Sequence, residues 1–267
     1  MPEVSSHPPG FASWAELASP DPRASLTFYR GLFGWHSYTL TTEIGDYEVF
    51  TLGDAQGPPV AGLYGLADDA QPQTWTIYFR SEDLSATIAT VVAAGGQELV
   101  EPIDISSLGQ MAMCEDSLGA EFALWKPYTF EGAAVIDEPG ALCWTELVSP
   151  DAAEARRFYG GVFGWKAVDR SYFSRSYTDW KIGNYSVAGM LPLDEMVATA
   201  RSPGWTPCFC VSDCDATARR ATELGGDVHF APSDLVHGRV ASMTDPAGAR
   251  FTVLAPYEDL GRVKTAP

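Results

Sequence analysis

The strongest constraint on this chain is that it contains itself twice. Gly10-Phe-Ala-Ser-Trp-Ala-Glu-Leu-Ala-Ser-Pro-Asp21 recurs as Gly140-Ala-Leu-Cys-Trp-Thr-Glu-Leu-Val-Ser-Pro-Asp151, an offset of 130 residues. The same offset pairs Phe28-Tyr29 with Phe158-Tyr159, and Gly31-Leu-Phe-Gly-Trp35 with Gly161-Val-Phe-Gly-Trp165. It also pairs Trp75-Thr76 with Trp205-Thr206, and Gly95-Gly96 with Gly225-Gly226. After one deletion the offset is 129, matching Asp116, Gly119 and Phe122 to Asp245, Gly248 and Phe251. Self-similarity over so long a period means a repeated structural unit. Two modules follow, over residues 10–130 and 140–258, with Thr129 to Pro139 linking them. The first residues and those from Gly261 onward are expected to be loose tails.

Each module also divides into similar halves. Trp14 to Leu17 alternates and is rich in strand formers. Ser19-Pro20-Asp21 then starts a helix, with Ser as the expected cap and Pro in the first turn. The helix carries Phe28 and Tyr29 and stops at Gly31 and Gly34. Strand-like runs follow at Trp35–Leu40, Tyr47–Leu52 and Val60–Leu66. The second half repeats the order. Trp75–Arg80 is a strand and Leu84–Ala94 a helix ended by Gly95-Gly96. Gln97–Ile103, Gln110–Cys114 and Glu121–Trp125 are strands. The sequence therefore predicts an α+β fold of four βαβββ units in two tandem modules.

Composition narrows the function. The 267 residues include 17 Lys and Arg against 35 Asp and Glu, a net charge of −18. That balance excludes a general nucleic-acid binder, because phosphate binding draws on a basic surface. It disfavours an anionic membrane surface for the same reason. No segment reaches the roughly 18 consecutive apolar residues of a membrane helix. Met1 to Gly10 carries no basic stretch followed by an apolar run, so no secretory leader is expected. The five cysteines, Cys114, Cys143, Cys208, Cys210 and Cys214, lack framework spacing and read as reduced, in a cytoplasmic protein. Cys208 and Cys210 share a strand face, and with Cys214 they read as buried thiols packing as small apolar groups.

The pattern resembles the vicinal oxygen chelate superfamily, which includes glyoxalase I, bleomycin-resistance proteins and extradiol dioxygenases. The residues that carry the resemblance are the first strand followed by Asp21, then Phe28-Tyr29 with Phe33-Gly34-Trp35. The Gly-Gly after the second helix and Asp245-Pro-Ala-Gly-Ala-Arg-Phe251 complete it. The resemblance covers nearly the whole chain. It implies that paired βαβββ units close around a cup, a partly open β-barrel with helices outside, so this chain has two cups. It also implies a role in antibiotic biosynthesis or resistance.

Metal-using relatives place His or Glu ligands on the first and last strands of paired units, facing the cup. Carried over by position, these places fall on Trp14 and Trp144, Thr76 and Thr206, and Ala123 and Thr252, with the last pair near Gly62 and Gly189. None is a usual ligand, since a transition ion takes imidazole, carboxylate or thiolate groups. The expectation is therefore no metal and no other cofactor. Glu16 and Glu146 lie two residues beyond the Trp positions, hence on the same strand face. They read either as displaced ligands or as solitary inward carboxylates.

Strand alternation then lists the cup linings. Cup one would present Trp14, Glu16, Thr76, Tyr78, Arg80, Glu121, Ala123 and Trp125, joined by Tyr64. Cup two would present Trp144, Glu146, Thr206, Cys208, Cys210, Arg250, Thr252 and Leu254, and looks the less polar. A carboxylate in an aromatic cavity loses hydration, which raises its pKa toward acid–base use. Glu16 would move a proton, with Arg80 or Tyr78 steadying the oxyanion. The opposite reading pairs Glu16 with Arg80 and leaves the aromatics as core. Trp14, Tyr64, Thr76, Glu121, Trp125, Trp144, Glu146, Thr206 and Arg250 would contact ligand. The expected ligand is a hydrophobic, oxygenated aromatic or polyketide-like metabolite. It would undergo isomerisation, cyclisation, hydration or lyase chemistry without metal. The alternative is a binding protein that sequesters an antibiotic or metabolite. Internal duplication makes a monomer feasible, and a homodimer stays open.

Overall fold

The computed structural model describes residues 4–42, 45–67, 73–172, 175–193 and 203–257. The first unit runs β1 (Ala12–Ser19), α1 (Pro22–Phe33), β2 (His36–Thr42), β3 (Gly45–Thr51) and β4 (Pro59–Gly65). The second runs β5 (Thr74–Arg80), α2 (Leu84–Ala93), β6 (Gln97–Ile105), β7 (Gly109–Glu115) and β8 (Glu121–Pro127). The third is β9 (Leu142–Ser149), α3 (Ala152–Phe163), β10 (Lys166–Tyr172), β11 (Arg175–Ile182) and β12 (Tyr185–Pro192). The fourth is β13 (Gly204–Cys210), α4 (Cys214–Glu223), β14 (Asp227–Leu235), β15 (Gly238–Thr244) and β16 (Arg250–Pro256). This is the βαβββ unit four times over, as the sequence predicts.

Each module closes into one curled eight-stranded sheet. The orders are β2-β3-β4-β1-β5-β8-β7-β6 and β10-β11-β12-β9-β13-β16-β15-β14. Two units join where their first strands pair antiparallel, β1 with β5 and β9 with β13. Each first strand also runs parallel to the last strand of its own unit, as β1 does with β4.

The helix starts correct the sequence reading in one detail. Asp21, not Ser19, caps α1, its carboxylate accepting from Ala24 N at 3.0 Å with Pro22 in the first turn. Ser19 is turned inward, where its hydroxyl bonds Gln73 and Ser25. Asp151 caps α3 in the same way. Gly31 lies inside α1, and the helix ends at Gly34, whose φ of +70° suits a residue without a Cβ.

Period-two alternation sends the two faces of each sheet to different places. Ala15 and Leu17 of β1 join one large core that spans both modules, whereas Trp14 belongs to a separate cluster in the first cup. The helices lie on the outer faces of the sheets, and those faces meet each other. α1 packs against α4, α2 against α3, and β5 against β13. Phe28, Tyr29, Trp35 and Trp75 thus interleave with Phe209 and Phe251 of the other module.

The junction repeats its own bonds. Tyr29 Oη donates to Asp245 at 2.8 Å, and Tyr159 Oη to Asp116 at 2.9 Å. Trp75 Nε1 donates to Tyr29 Oη, and Trp205 Nε1 to Tyr159 Oη. Trp35 Nε1 reaches Gly140 O, and Trp165 Nε1 reaches Gly10 O. Tyr29, Trp35 and Trp75, which recur at the 130-residue offset, and Asp116, which recurs at 129, are thus used twice to join the modules.

The N-terminal segment departs from expectation. Val4 N donates to Ala134 O, and buried His7 bonds Ala133 O at 2.9 Å, so the part from Val4 onward is tied down along the linker. The tail from Gly261 and the module end at residue 258 lie outside the described residues.

Candidate functional site in the first cup

Glu16 stands at the centre of the first cup, on β1, opposite Gly62 of β4 and Thr76 of β5. Both of its carboxylate oxygens are held by phenols. Tyr47 Oη donates to Oε2 at 2.6 Å, and Tyr78 Oη donates to Oε1 at 2.7 Å. Trp14 Nε1 in turn donates to Tyr47 Oη at 2.9 Å. The result is a chain, indole to phenol to carboxylate, with a second phenol on the far oxygen. Burial raises the Glu16 pKa above the usual carboxylate range, and the bonds from Tyr47 and Tyr78 pull the other way. Burial and the Glu16 charge push both phenols well above their ordinary range, so they remain donors.

Three further wall residues keep polar atoms near Glu16. Tyr64, half-buried on β4, has its hydroxyl pushed up to about 12 by burial and then by the charges of Glu16 and Glu121. Among the described residues no group takes its hydroxyl in a hydrogen bond. Thr76 is half-buried beside Glu16, and Glu121 is exposed at the end of β8.

The structure separates Arg80 from this group. Its guanidinium lies 3.7 Å from Glu82 and 3.9 Å from Glu131, not on Glu16. Neither the Glu16–Arg80 pairing nor the guanidinium beside Glu16 that the sequence suggested is formed. Tyr78 is present, but its hydroxyl is committed to Glu16. Trp14 and Trp125 face the cup, yet both are buried, because Phe130 of the linker packs edge-on against them at 5.0 and 6.2 Å. The half of the cup around Glu16, Tyr64 and Thr76 is thus the more open one.

Sequence reasoning missed Tyr47 and Phe130. Tyr47 could have been found, since Trp14, Glu16 and Tyr47 recur as Trp144, Glu146 and Tyr177 at the same offset. In the second cup Trp144 Nε1 again donates to Tyr177 Oη at 2.9 Å. The position of Tyr78 is taken by Cys208, which lies opposite Trp144 and Thr252. Cys143, an extra residue at a bulge in β9, brings its sulfur 3.9 Å from that of Cys208. Cys143, Cys208 and Cys210 are buried together there, while Cys214 joins the inter-module core. Thr206 is buried opposite Glu146, and Arg250 begins β16 near His229. The second cup is more polar than alternation on its central strands suggested. Buried Asp179 of β11 faces it, bonded by Ser186 and flanked by Lys181 and Arg170 at 3.5 and 3.6 Å. A separate cleft of about 60 Å³ lies outside the first cup, between His7, Asp137, Cys143 and Val187.

The donor set does not fit a metal ion. A Cβ added at Gly62 would stand 1.9 Å from Tyr47 Oη, and one at Gly189 would stand 1.7 Å from Tyr177 Oη. A phenol occupies the space that a ligating side chain at either glycine would need. Among the described residues no three His, Cys, Asp or Glu side chains are arranged to hold an ion. Glu16 offers a single carboxylate, already bonded twice.

Residues 12–124 and 141–253 each match the Glyoxalase/Bleomycin resistance protein/Dioxygenase superfamily. The chain belongs to that superfamily. Its relatives include the anthracycline biosynthesis protein DnrV of Streptomyces peucetius, 39% identical over 92% of this chain and 93% of the relative. The anthracycline biosynthesis protein DauV of Streptomyces sp. strain C5 is 38% identical over the same shares. Among solved structures, the 2,3-dioxygenase LapB from Pseudomonas sp. KL28 aligns with a TM-score of 0.64 at 16% identity, covering 96% of this chain and 97% of that one. The Mn(II)-bound glyoxalase from Novosphingobium aromaticivorans aligns with a TM-score of 0.63 at 18% identity, covering 92% and 82%. These structures share the superfamily fold of this chain. No described helix is long and apolar enough to cross a membrane.

Proposed function

We propose that the first cup binds a hydrophobic, oxygenated aromatic metabolite, and that Glu16 moves a proton on it without a metal. The observation that carries the reading is a half-buried carboxyl group held by two phenols, with no cation on it among the described residues and a pKa raised by burial. Such a group is poised to take a proton from a carbon next to a carbonyl, or from a phenol, and to return it elsewhere. Tyr47 and Tyr78 orient the carboxylate. The hydroxyl of Tyr64, which bonds no other group among the described residues, is the donor for the oxygen on which negative charge develops, a role that Arg80 is not placed to fill. Isomerisation and cyclisation proceed by this proton movement alone, while hydration couples it to addition of water and a lyase step couples it to departure of a leaving group. The names of DnrV and DauV, at 39% and 38% identity, support a fused-ring polyketide as the ligand class.

A second reading is a sequestering protein that leaves its ligand unchanged. It is favoured by one observation: each carboxylate oxygen of Glu16 already accepts a hydrogen bond from a tyrosine of the protein itself. Glu16→Gln decides between them. Under the first reading it abolishes turnover of the converted metabolite while affinity changes little. Wild-type protein that binds the compound and returns it intact establishes the second.

A further inference from the structure

We propose that Phe130 of the inter-module linker sets the size limit of the first cup by occupying the place of a ligand ring. The proposal rests on the reading of that cup as a ligand site. Phe130 lies edge-on to Trp14 at 5.0 Å and 87°, and to Trp125 at 6.2 Å and 78°. These are the geometries that aromatic rings adopt toward one another, whether the second ring belongs to protein or ligand. Leu108 and Met111 belong to the same apolar cluster, and so do Tyr78 and Tyr47, which hold Glu16. The slot filled by Phe130 is therefore continuous with the wall that carries the carboxylate.

The ring is held from its backbone. Phe130 N donates to Leu108 O, and Phe130 O accepts from Trp125 Nε1 at 2.8 Å. Downstream, Ala133 N donates to Ser13 O and Ala134 N to Pro59 O, both at 2.8 Å. Gly132 makes this crossing feasible: its φ is +112°, and a Cβ there would stand 2.3 Å from Ser13 O. The linker is thus stitched across the cup, and Phe130 behaves as a fixed wall. In the second cup Trp144, the repeat of Trp14, is only half-buried. A planar ligand entering beside Glu16 would meet Phe130 where a further fused ring would go.

The test measures affinities of wild-type protein, Phe130→Ala and Phe130→Trp for 2-naphthol and 2-hydroxyanthracene, two fluorescent phenols differing by one fused ring. Phe130 is half-buried against Trp14 and Trp125, and truncating it opens an apolar slot that takes up an aromatic ring. Phe130→Ala is expected to raise the preference for the three-ring phenol by about tenfold or more. Phe130→Trp is expected to lower it. An unchanged preference in both variants overturns the role of Phe130 while leaving the cup reading intact. Failure of every protein to bind either phenol removes both. Far-ultraviolet circular dichroism confirms that each variant is folded, and Phe130→Trp keeps the test open should the alanine variant not be.

Discussion

The duplicated junction provides its own control for a prediction about stability. Tyr159 and Tyr29 occupy equivalent places, and each donates to a buried carboxylate in the other module. Their surroundings differ in one respect. Asp245 Oδ2 also accepts from Gln73 Nε2, whereas Tyr159 is the only side-chain donor to Asp116 Oδ2 among the described residues. Removing a hydrogen bond to a charged group costs about 1.5–3 kcal/mol, more where the partner is left with no other donor. Tyr159→Phe also strands Trp205 Nε1, as Tyr29→Phe strands Trp75 Nε1. We expect about 1–2 kcal/mol for Tyr29→Phe and about 2–4 kcal/mol for Tyr159→Phe. For a chain of this size that is roughly 2–4 °C of Tm per kcal/mol. Equilibrium urea unfolding measures both at pH 7 and again at lower pH. The sign of the pH effect follows from the bond. A donor to a carboxylate favours the ionised form, and burial already raises the Asp245 pKa. The loss in Tyr29→Phe should therefore shrink as pH falls and Asp245 takes up a proton. A milder effect at Tyr159 than at Tyr29, or a loss at Tyr29 that grows on acidification, refutes the reasoning.

Two other outcomes are expected. Gly62→Ala should cost about 1–3 kcal/mol, because its Cβ would meet Tyr47 Oη at 1.9 Å. It should also raise the Glu16 pKa further by displacing one donor, which carbon-13 NMR of the carboxyl would show. His7 is buried with its pKa lowered to about 4, so the folded protein resists a proton that the unfolded chain accepts near 6.5. Stability should fall as pH drops through that window, by about 2–4 kcal/mol in all, and then level off. In His7→Gln the same unfolding titration should be flatter by that amount.

Much of this was legible in the sequence, and the reason is specific. The 130-residue repeat and the strand and cap signals fix the order of units, which Asp21, Asp151, Gly34 and Gly164 punctuate. Alternation on β1, β5 and β8 places Glu16, Tyr78 and Trp125 on the cup face correctly. What alternation does not carry is reach. Tyr47 comes from β3, with β4 between it and Glu16, and its hydroxyl arrives over Gly62 of β4 only because that residue has no side chain. Arg80 has the expected register but turns toward Glu82 and Glu131, since the linker brings Glu131 within 3.9 Å. Phe130 belongs to a segment with no strand or helix pattern, so only the folded chain shows it lying against Trp14. Ser19 looked like a helix cap because its competing partner, Gln73, is distant in sequence.

The joining of the sheets by their helix-bearing faces has a consequence for how such a protein changes over time. Nearly all the packing that keeps the chain folded is invested on one side of each sheet, and the hollows lie on the other. A substitution inside a hollow leaves that shared investment untouched. One hollow holds a carboxyl clasped by tyrosines, while its twin carries Cys143, Cys208 and Cys210 where the first module has Ser13, Tyr78 and Arg80. Gene duplication gave two copies of the cavity, and back-to-back assembly freed each to be rewritten without weakening the other.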